Sequence, residues 1–350
     1  MPRERAFWMV LGSLVLVGIV MGLLGRRAAD RPLALVKGSP SPVAQESRTR
    51  TWRDARFALL YRIAAGEGED LRQPTLLRAD SSGNLYVLDS AVPSVMKISA
   101  EGQVLARYAH ASMGNPTDFA IGPRGEVWVC DPDRRVLAIF ASDGTFLRTI
   151  TPQPSAARLA LGSGGFVATG ITGGPGLFRK YSMTGALQSS FGDLFAAPLQ
   201  SSLAADGWIV SDGEFLVYPF RNTGLLVSYT MDGKLRFFRE TINRVPLPMV
   251  RVDAAGRASV DRNAPVASIN GCMVGDELYI LTESAPGRAL DVYDAEQGNY
   301  AYSLRLPEAD LRYFVLVADR LYGASRRGVK AWRMARSSEA TSEVSARRTQ

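Results

Sequence analysis

Histidine is almost missing from this chain, with one residue, His110, in 350. That number alone excludes a mechanism needing several imidazole ligands or a pair of imidazole acid–base groups. Cysteine is nearly as scarce. Cys130 and Cys272 stand too far apart to read as a disulfide framework or a metal cluster. Both fall in strand-like runs, Val129-Cys130-Asp131 and Gly271-Cys272-Met273, and are expected as buried, unpaired thiols. The chain also lacks a phosphate-binding Gly-x-x-x-x-Gly-Lys-Ser/Thr loop, a Gly-x-Ser-x-Gly elbow and a Cys-x-x-Cys-His haem site. Gly173-Gly174-Pro175-Gly176 is glycine-rich, but no Lys-Ser/Thr follows it and a turn accounts for it. No cofactor is expected.

A broad basic surface is missing too, although the formal net charge is +7. Residues 1–51 hold 8 Lys+Arg against 3 Asp+Glu, and residues 335–350 hold 3 against 2. The body, 52–334, is left with 30 basic and 29 acidic residues. The excess belongs to the ends, and nucleic-acid binding is not expected.

What is present begins with Ala6 to Gly25, twenty residues without a charge, between Arg3 and Arg5 on one side and Arg26 and Arg27 on the other. As a helix this run spans a bilayer core. After a short tail at 1–5, the segment 6–25 is therefore expected to be a transmembrane signal anchor. A cleaved signal peptide is the alternative, disfavoured because Arg26 and Arg27 occupy the stretch before Ala28-Ala29. Arg26, Arg27, Arg31 and Lys37 outnumber Arg3, Arg5 and the terminal amine, which tilts the charge count toward a cytoplasmic body. The position at the N-terminus and the stalk-like stretch that follows favour an extracytoplasmic, periplasmic one. Residues 26–51, with Ser39-Pro40-Ser41-Pro42, read as a flexible linker. The polar tail 335–350 reads as disordered.

Composition in between favours strands and turns, with 33 Gly and 19 Pro punctuating short apolar runs. Residues 74–108 can be laid over 116–150 so that Pro74 and Pro116, Gly83 and Gly125, Asp89 and Asp131, and Gly102 and Gly144 all differ by 42. A period of about 40–50 residues carrying four strands is that of a propeller blade. The two turn glycines of a unit lie 19 apart in these repeats, and the spacing recurs as 20 (Gly165 to Gly185), 20 (Gly213 to Gly233) and 23 (Gly275 to Gly298). Five units are thus visible. A sixth, from Tyr313 to Trp332, stops one strand short, and Arg56 to Ile63 is the candidate that closes the ring from the other end. The fold expected is all-β, a six-bladed propeller over 52–334. Residues 249–260 do not fit the spacing and read as an extra hairpin, or as part of a seventh blade in the alternative count.

Asp80 to Gly83, Tyr86-Val87-Leu88-Asp89 and Glu101-Gly102, then Trp128-Val129-Cys130-Asp131 and Asp143-Gly144, resemble NHL-type repeats and the wider group of bacterial six-bladed propellers. The match covers blades one and two and fades to strand pattern beyond residue 150. The resemblance implies architecture far more than activity, since such propellers include binding scaffolds, lactonases and lyases.

Asp89 and Asp131 end their second strands and are expected to cap their own loops by accepting backbone N–H bonds, rather than to touch a ligand. Arg134, Arg135, Arg221, Arg288, Arg326 and Arg327 all fall in loops between second and third strands, which share one face of a propeller. They form the expected surface for a protein or glycan partner. The function expected is a membrane-anchored, non-enzymatic binding or scaffold module. The alternative is a lactonase-type, metal-dependent hydrolase with Asn115, Asp118 and Asn270 converging at the central channel.

Overall fold

Tight glycine turns fold each repeat into a four-stranded antiparallel meander. Gly83 and Gly102 take φ of +80° and +90°, which side chains with a Cβ rarely adopt. The computed structural model describes residues 29–170, 176–195, 205–252, 258–261, 263–284 and 287–336. Blade 1 comprises Pro74–Ala79, Leu85–Asp89, Ser94–Ile98 and Val104–Tyr108, and blade 2 comprises Asp118–Ile121, Val127–Asp131, Val136–Phe140 and Phe146–Ile150. Blade 3 runs from Ala156 to Phe191, blade 4 from Val210 to Glu240 and blade 5 from Asn270 to Arg305. In blade 6, Tyr313–Val317, Arg320–Ser325 and Gly328–Arg336 are completed by Ala55–Ala64, which pairs antiparallel with Gly328–Arg336. The inner strands, first in each blade, touch in succession and close a six-bladed ring. There is no seventh blade among the described residues.

Each sheet is covered on both faces by neighbouring blades, so its second strand is buried along its whole length, as in Leu85–Asp89 and Val127–Asp131. The apolar core is accordingly divided among the blade interfaces, with separate clusters where blades 1 and 2, 2 and 3, 3 and 4, and 4 and 5 meet, and one spanning blades 5, 6 and 1. Tyrosines add directed bonds across these interfaces. Tyr322 of blade 6 donates to the Gly83 carbonyl of blade 1 at 2.8 Å, and Tyr108 of blade 1 donates to Ser142 of blade 2 at 2.8 Å. Tyr181 and Tyr218 donate to Pro154 and Ala205 in the connections entering their blades. Each bond contributes about 0.5–1.5 kcal/mol net and fixes the angle of one blade on the next.

These buried hydroxyls and thiols set an alkaline limit. Burial pushes Tyr108 and Tyr229 up to about 12 and Cys272 up to about 12, and raises Cys130 and Tyr218 well above their ordinary values. The unfolded chain then loses its protons before the folded one. The stability these neutral groups hold is complete below the unfolded pKa values, about 8.5 for Cys and 10 for Tyr, and is lost as pH rises toward the folded values. Each such tyrosine contributes a slope of up to about 1.4 kcal/mol per pH unit between roughly pH 10 and 12. The urea unfolding midpoint should be lower at pH 11 than at pH 8, with tyrosinate absorbance appearing as the chain unfolds. An unchanged midpoint would contradict the burial.

Residues 29–53 differ from the flexible linker expected over 26–51. Ala29–Pro32 pairs antiparallel with Met249–Val252, which in turn pairs with Ala258–Val260. The extra hairpin is therefore the centre and edge of a small three-stranded sheet, and its missing partner is the N-terminal segment. Leu33 is 1% exposed in the core between blades 3 and 4, and Gln45, 5% exposed, donates to the Glu240 and Gly298 carbonyls. Arg50 then clamps Asp291 of blade 5 through two 2.8 Å bonds, with Asp291 wholly buried. Trp52–Arg53 lies parallel beside Tyr300–Arg305 as a fifth strand of blade 5 before the chain enters blade 6. Single anchoring residues hold this strap, so no periodic pattern betrays it. The expected transmembrane segment 6–25 lies outside the described residues, as does the tail from 337; residues 335 and 336 end the third strand of blade 6. Among the described residues no helix is long and apolar enough to cross a membrane.

Candidate functional site

A charged residue in an inner strand faces either the channel or the next blade, and here Arg78, Asp118 and Arg158 of the inner strands of blades 1 to 3 form an alternating chain with Asp206, in the connection entering blade 4. Arg78 of blade 1 pairs with Asp118 of blade 2 at 2.9 Å. Asp118 also accepts the backbone N–H groups of Phe119 at 2.8 Å and, in blade 3, of Leu159 at 2.9 Å. Arg158 of blade 3 donates to the Thr117 carbonyl at 2.8 Å and to the Gly207 carbonyl at 3.2 Å, and meets Asp206 at 3.5 Å. Burial alone would lower the Arg158 guanidinium, and the Asp206 and Asp118 carboxylates outweigh it, leaving the pKa raised. Two cations and two anions balance within the chain.

Trp208 crosses the channel above this chain. Arg158 stacks on its ring at 4.3 Å and Tyr313 of blade 6 meets it edge-on at 6.4 Å, in one cluster with Leu76 of blade 1 and Phe119 of blade 2. This cluster lies on the side of the 2–3 loops. On the other side the ends of all six inner strands enclose a cavity of about 760 Å³, with Asp80, Ser163 and Asp212 at its lip.

Asp89 accepts four backbone N–H bonds, from Arg72, Gln73, Ala91 and Val92, and Asp131 accepts three, from Gly114, Asn115 and Arg134. Both carboxylates tie their own 2–3 loop to the preceding interblade connection, as caps. Asn115, Asp118 and Asn270 belong to three separate sets of bonds. Asn115 donates to Asp133 at 2.9 Å in an exposed loop, Asp118 is taken by Arg78, and Asn270 donates to the Phe314 carbonyl at 2.9 Å. Among the described residues no group of three or more His, Cys, Asp or Glu is placed to hold a metal ion. Cys130 and Cys272 are buried and unpaired.

The antiparallel order puts the 2–3 loops and the interblade connections on the same face. Arg134 and Arg135 stand there on blade 2, Arg221 on blade 4, and Arg326 and Arg327 on blade 6, all exposed. Arg135 is held at φ +58°, an uncommon conformation for a residue with a side chain. Their side chains make no ion pair or hydrogen bond among the described residues. Arg288 departs from the set, because it is bound to the Leu311 carbonyl at 2.5 Å and to Glu283 at 3.2 Å. Sequence reasoning missed Arg158, Asp206 and Trp208. The available signal was a charge inside an apolar inner strand, as in Leu76-Leu77-Arg78-Ala79.

No protein-family model matches the chain, and no curated protein matches it in sequence. Solved structures do match in shape. A member of the DUF4221 family from Bacteroides vulgatus aligns with a TM-score of 0.54 at 12% identity, over 81% of this chain and 99% of that one. A candidate exported protein from Bacteroides fragilis aligns with a TM-score of 0.53 at 9% identity, over 84% and 99%. A catalytically inactive histidine-to-alanine variant of virginiamycin B lyase from Staphylococcus aureus, with quinupristin, aligns with a TM-score of 0.51 at 13% identity, over 79% and 99%. The chain is a six-bladed β-propeller. At these identities the likeness carries the fold and none of the chemistry. The one histidine of this chain, His110, stacks flat on Phe146 of the outer strand of blade 2, with ring centroids 3.6 Å apart.

Proposed function

We propose that this propeller is a non-enzymatic binding module, held at a membrane by the uncharged segment 6–25 with its ring on the extracytoplasmic side. Its 2–3 loop face meets a protein or glycan partner. The observation that carries the reading is the set of exposed, unpaired arginines Arg134, Arg135, Arg221, Arg326 and Arg327 on one face. Arginine is enriched among the residues that dominate interfaces. The strap adds a direction. Ala29–Pro32 joins the interblade connection after blade 4 and Val36 bonds to Leu194 in the connection before it, so the chain leaves the ring on the loop side. The arginine face therefore looks toward the bilayer that 6–25 would span, and the partner is a membrane-proximal one. The resemblance in fold to a candidate exported protein supports the extracytoplasmic side.

Crosslinking and pull-down from membranes test this with Arg326→Ala/Arg327→Ala against the unsubstituted chain. Loss of two of these arginines is expected to lower partner recovery at least tenfold, about 1.4 kcal/mol or more. Equal recovery removes the loop face from consideration. Removing residues 1–28 should move the protein to the soluble fraction, and retention in membranes would refute the anchor.

A further inference from the structure

We infer that the central channel is a second binding site, on the face opposite the arginine loops, for an uncharged small molecule with an apolar body and a hydrogen-bond acceptor. The cavity of about 760 Å³ falls within the roughly 300–1,000 Å³ of ligand pockets. On the side of the 2–3 loops the channel holds Trp208, which meets Tyr313 edge-on and shares one buried cluster with Leu76 and Phe119. The cavity walls mix polar and apolar surface, with aliphatic side chains such as Leu77, Leu161, Ile209, Met273 and Val315 contributed by five different blades. An apolar body is therefore favoured by burial against those side chains.

The polar chemistry of the wall decides the class of ligand. Among the described residues Arg78 is the one cation lining the cavity, and its side chain is 26% exposed. One of its guanidinium nitrogens is taken by Asp118, while its Nε–H is buried without a partner. The Nε–H is sealed in the wall, so it is the exposed part of the guanidinium that offers a charge-assisted donor to an acceptor on the ligand. Charge on the ligand is disfavoured in both signs. Arg78 and Arg158 are already balanced by Asp118 and Asp206, so an anion finds no net positive field, and Asp80 and Asp212 at the lip repel it. Those lip carboxylates are occupied by backbone donors, Ser82 and Asn84 on Asp80 and Glu214 and Phe215 on Asp212. A cation would have to leave water at a cost that no free carboxylate below the lip offsets.

Three probes of one shape separate these cases: camphor, a neutral ketone; camphorsulfonate, its anion; and bornylammonium, a cation. Equilibrium dialysis of the full chain in nanodiscs should show saturable binding of about one camphor per chain. The two charged probes are expected to bind at least tenfold more weakly. Ala79→Phe, which fills the cavity, should abolish camphor binding in the same nanodiscs, so that partition into lipid cancels. Ser163→Trp at the exposed lip should weaken it at least tenfold without touching the core, and keeps the test valid if Ala79→Phe does not fold. No saturable binding of camphor, equal binding of the sulfonate, or undiminished binding in the Ser163→Trp variant each overturns the site.

Discussion

Replacing Asp118 with alanine is expected to lower the stability of the ring by about 3–5 kcal/mol, a fall in Tm of roughly 10 °C. The carboxylate is wholly enclosed and serves three blades at once, through Arg78, its own strand at Phe119 and the Leu159 N–H of blade 3. Its removal strands two backbone donors and leaves Arg78 without a counter-charge, with Arg158 nearby balanced by Asp206 alone. A partly buried charge left without its partner, together with the two stranded N–H groups, is the costly outcome, while the intact pair is worth little over a well-packed apolar replacement. The double variant Arg78→Met/Asp118→Leu should therefore recover much of the loss. Thermal and urea unfolding of Arg78→Met, Asp118→Leu and the double measure this as a cycle. Losses that simply add would mean that the two residues do not act as a pair.

Gly328→Ala should be nearly as damaging, at about 2–5 kcal/mol. Gly328 has φ +130°, and a Cβ there would lie 2.0 Å from the Ile63 carbonyl oxygen. The residue faces Ala64 at the start of the pairing that closes the ring. Substitution forces Gly328–Arg336 and Ala55–Ala64 apart where the first and last parts of the chain join. The opened edge is an aggregation template, so a rise in oligomers should accompany the lower Tm. Gly164→Ala is the control, since nothing stands within 4 Å of its Cβ position, and it should stay within about 0.5 kcal/mol. Equal effects at the two glycines would show that the closing contact is not what Gly328 protects.

The parts of this molecule legible in its sequence are those that repeat. Blades 1 and 2 share four landmarks at an offset of 42, and the paired turn glycines extend the count to blade 5. The closing strand was readable because blade 6 runs out one strand short and Arg56 to Ile63 has the right pattern. The capping of Asp89 and Asp131 followed from their place at the end of a strand. What could not be read depends on single residues meeting across long separations. Arg78 and Asp118 are 40 positions apart, and Arg50 and Asp291 are 241 apart, with no local pattern at either end. The strap failed for a further reason. Its Ser-Pro-Ser-Pro composition describes the stretches between anchors, whereas Leu33, Gln45 and Arg50 hold it down. Arg288 belonged by position with the loop-face arginines, and only its neighbours Leu311 and Glu283 set it apart.

The strap also determines how the ring responds to pulling. Tension applied at Ala29 is first met by its pairing with Val252 and by Leu33 in the core. It then has to strip Gln45 from Gly298 and Arg50 from Asp291, and shear Trp52–Arg53 from blade 5, before any of it reaches the closing strand at Ala55. These attachments act in series, like the strain relief on a cable. A load carried by the N-terminal segment is spent on blades 4 and 5, and the closing strand in blade 6 is the last to feel it.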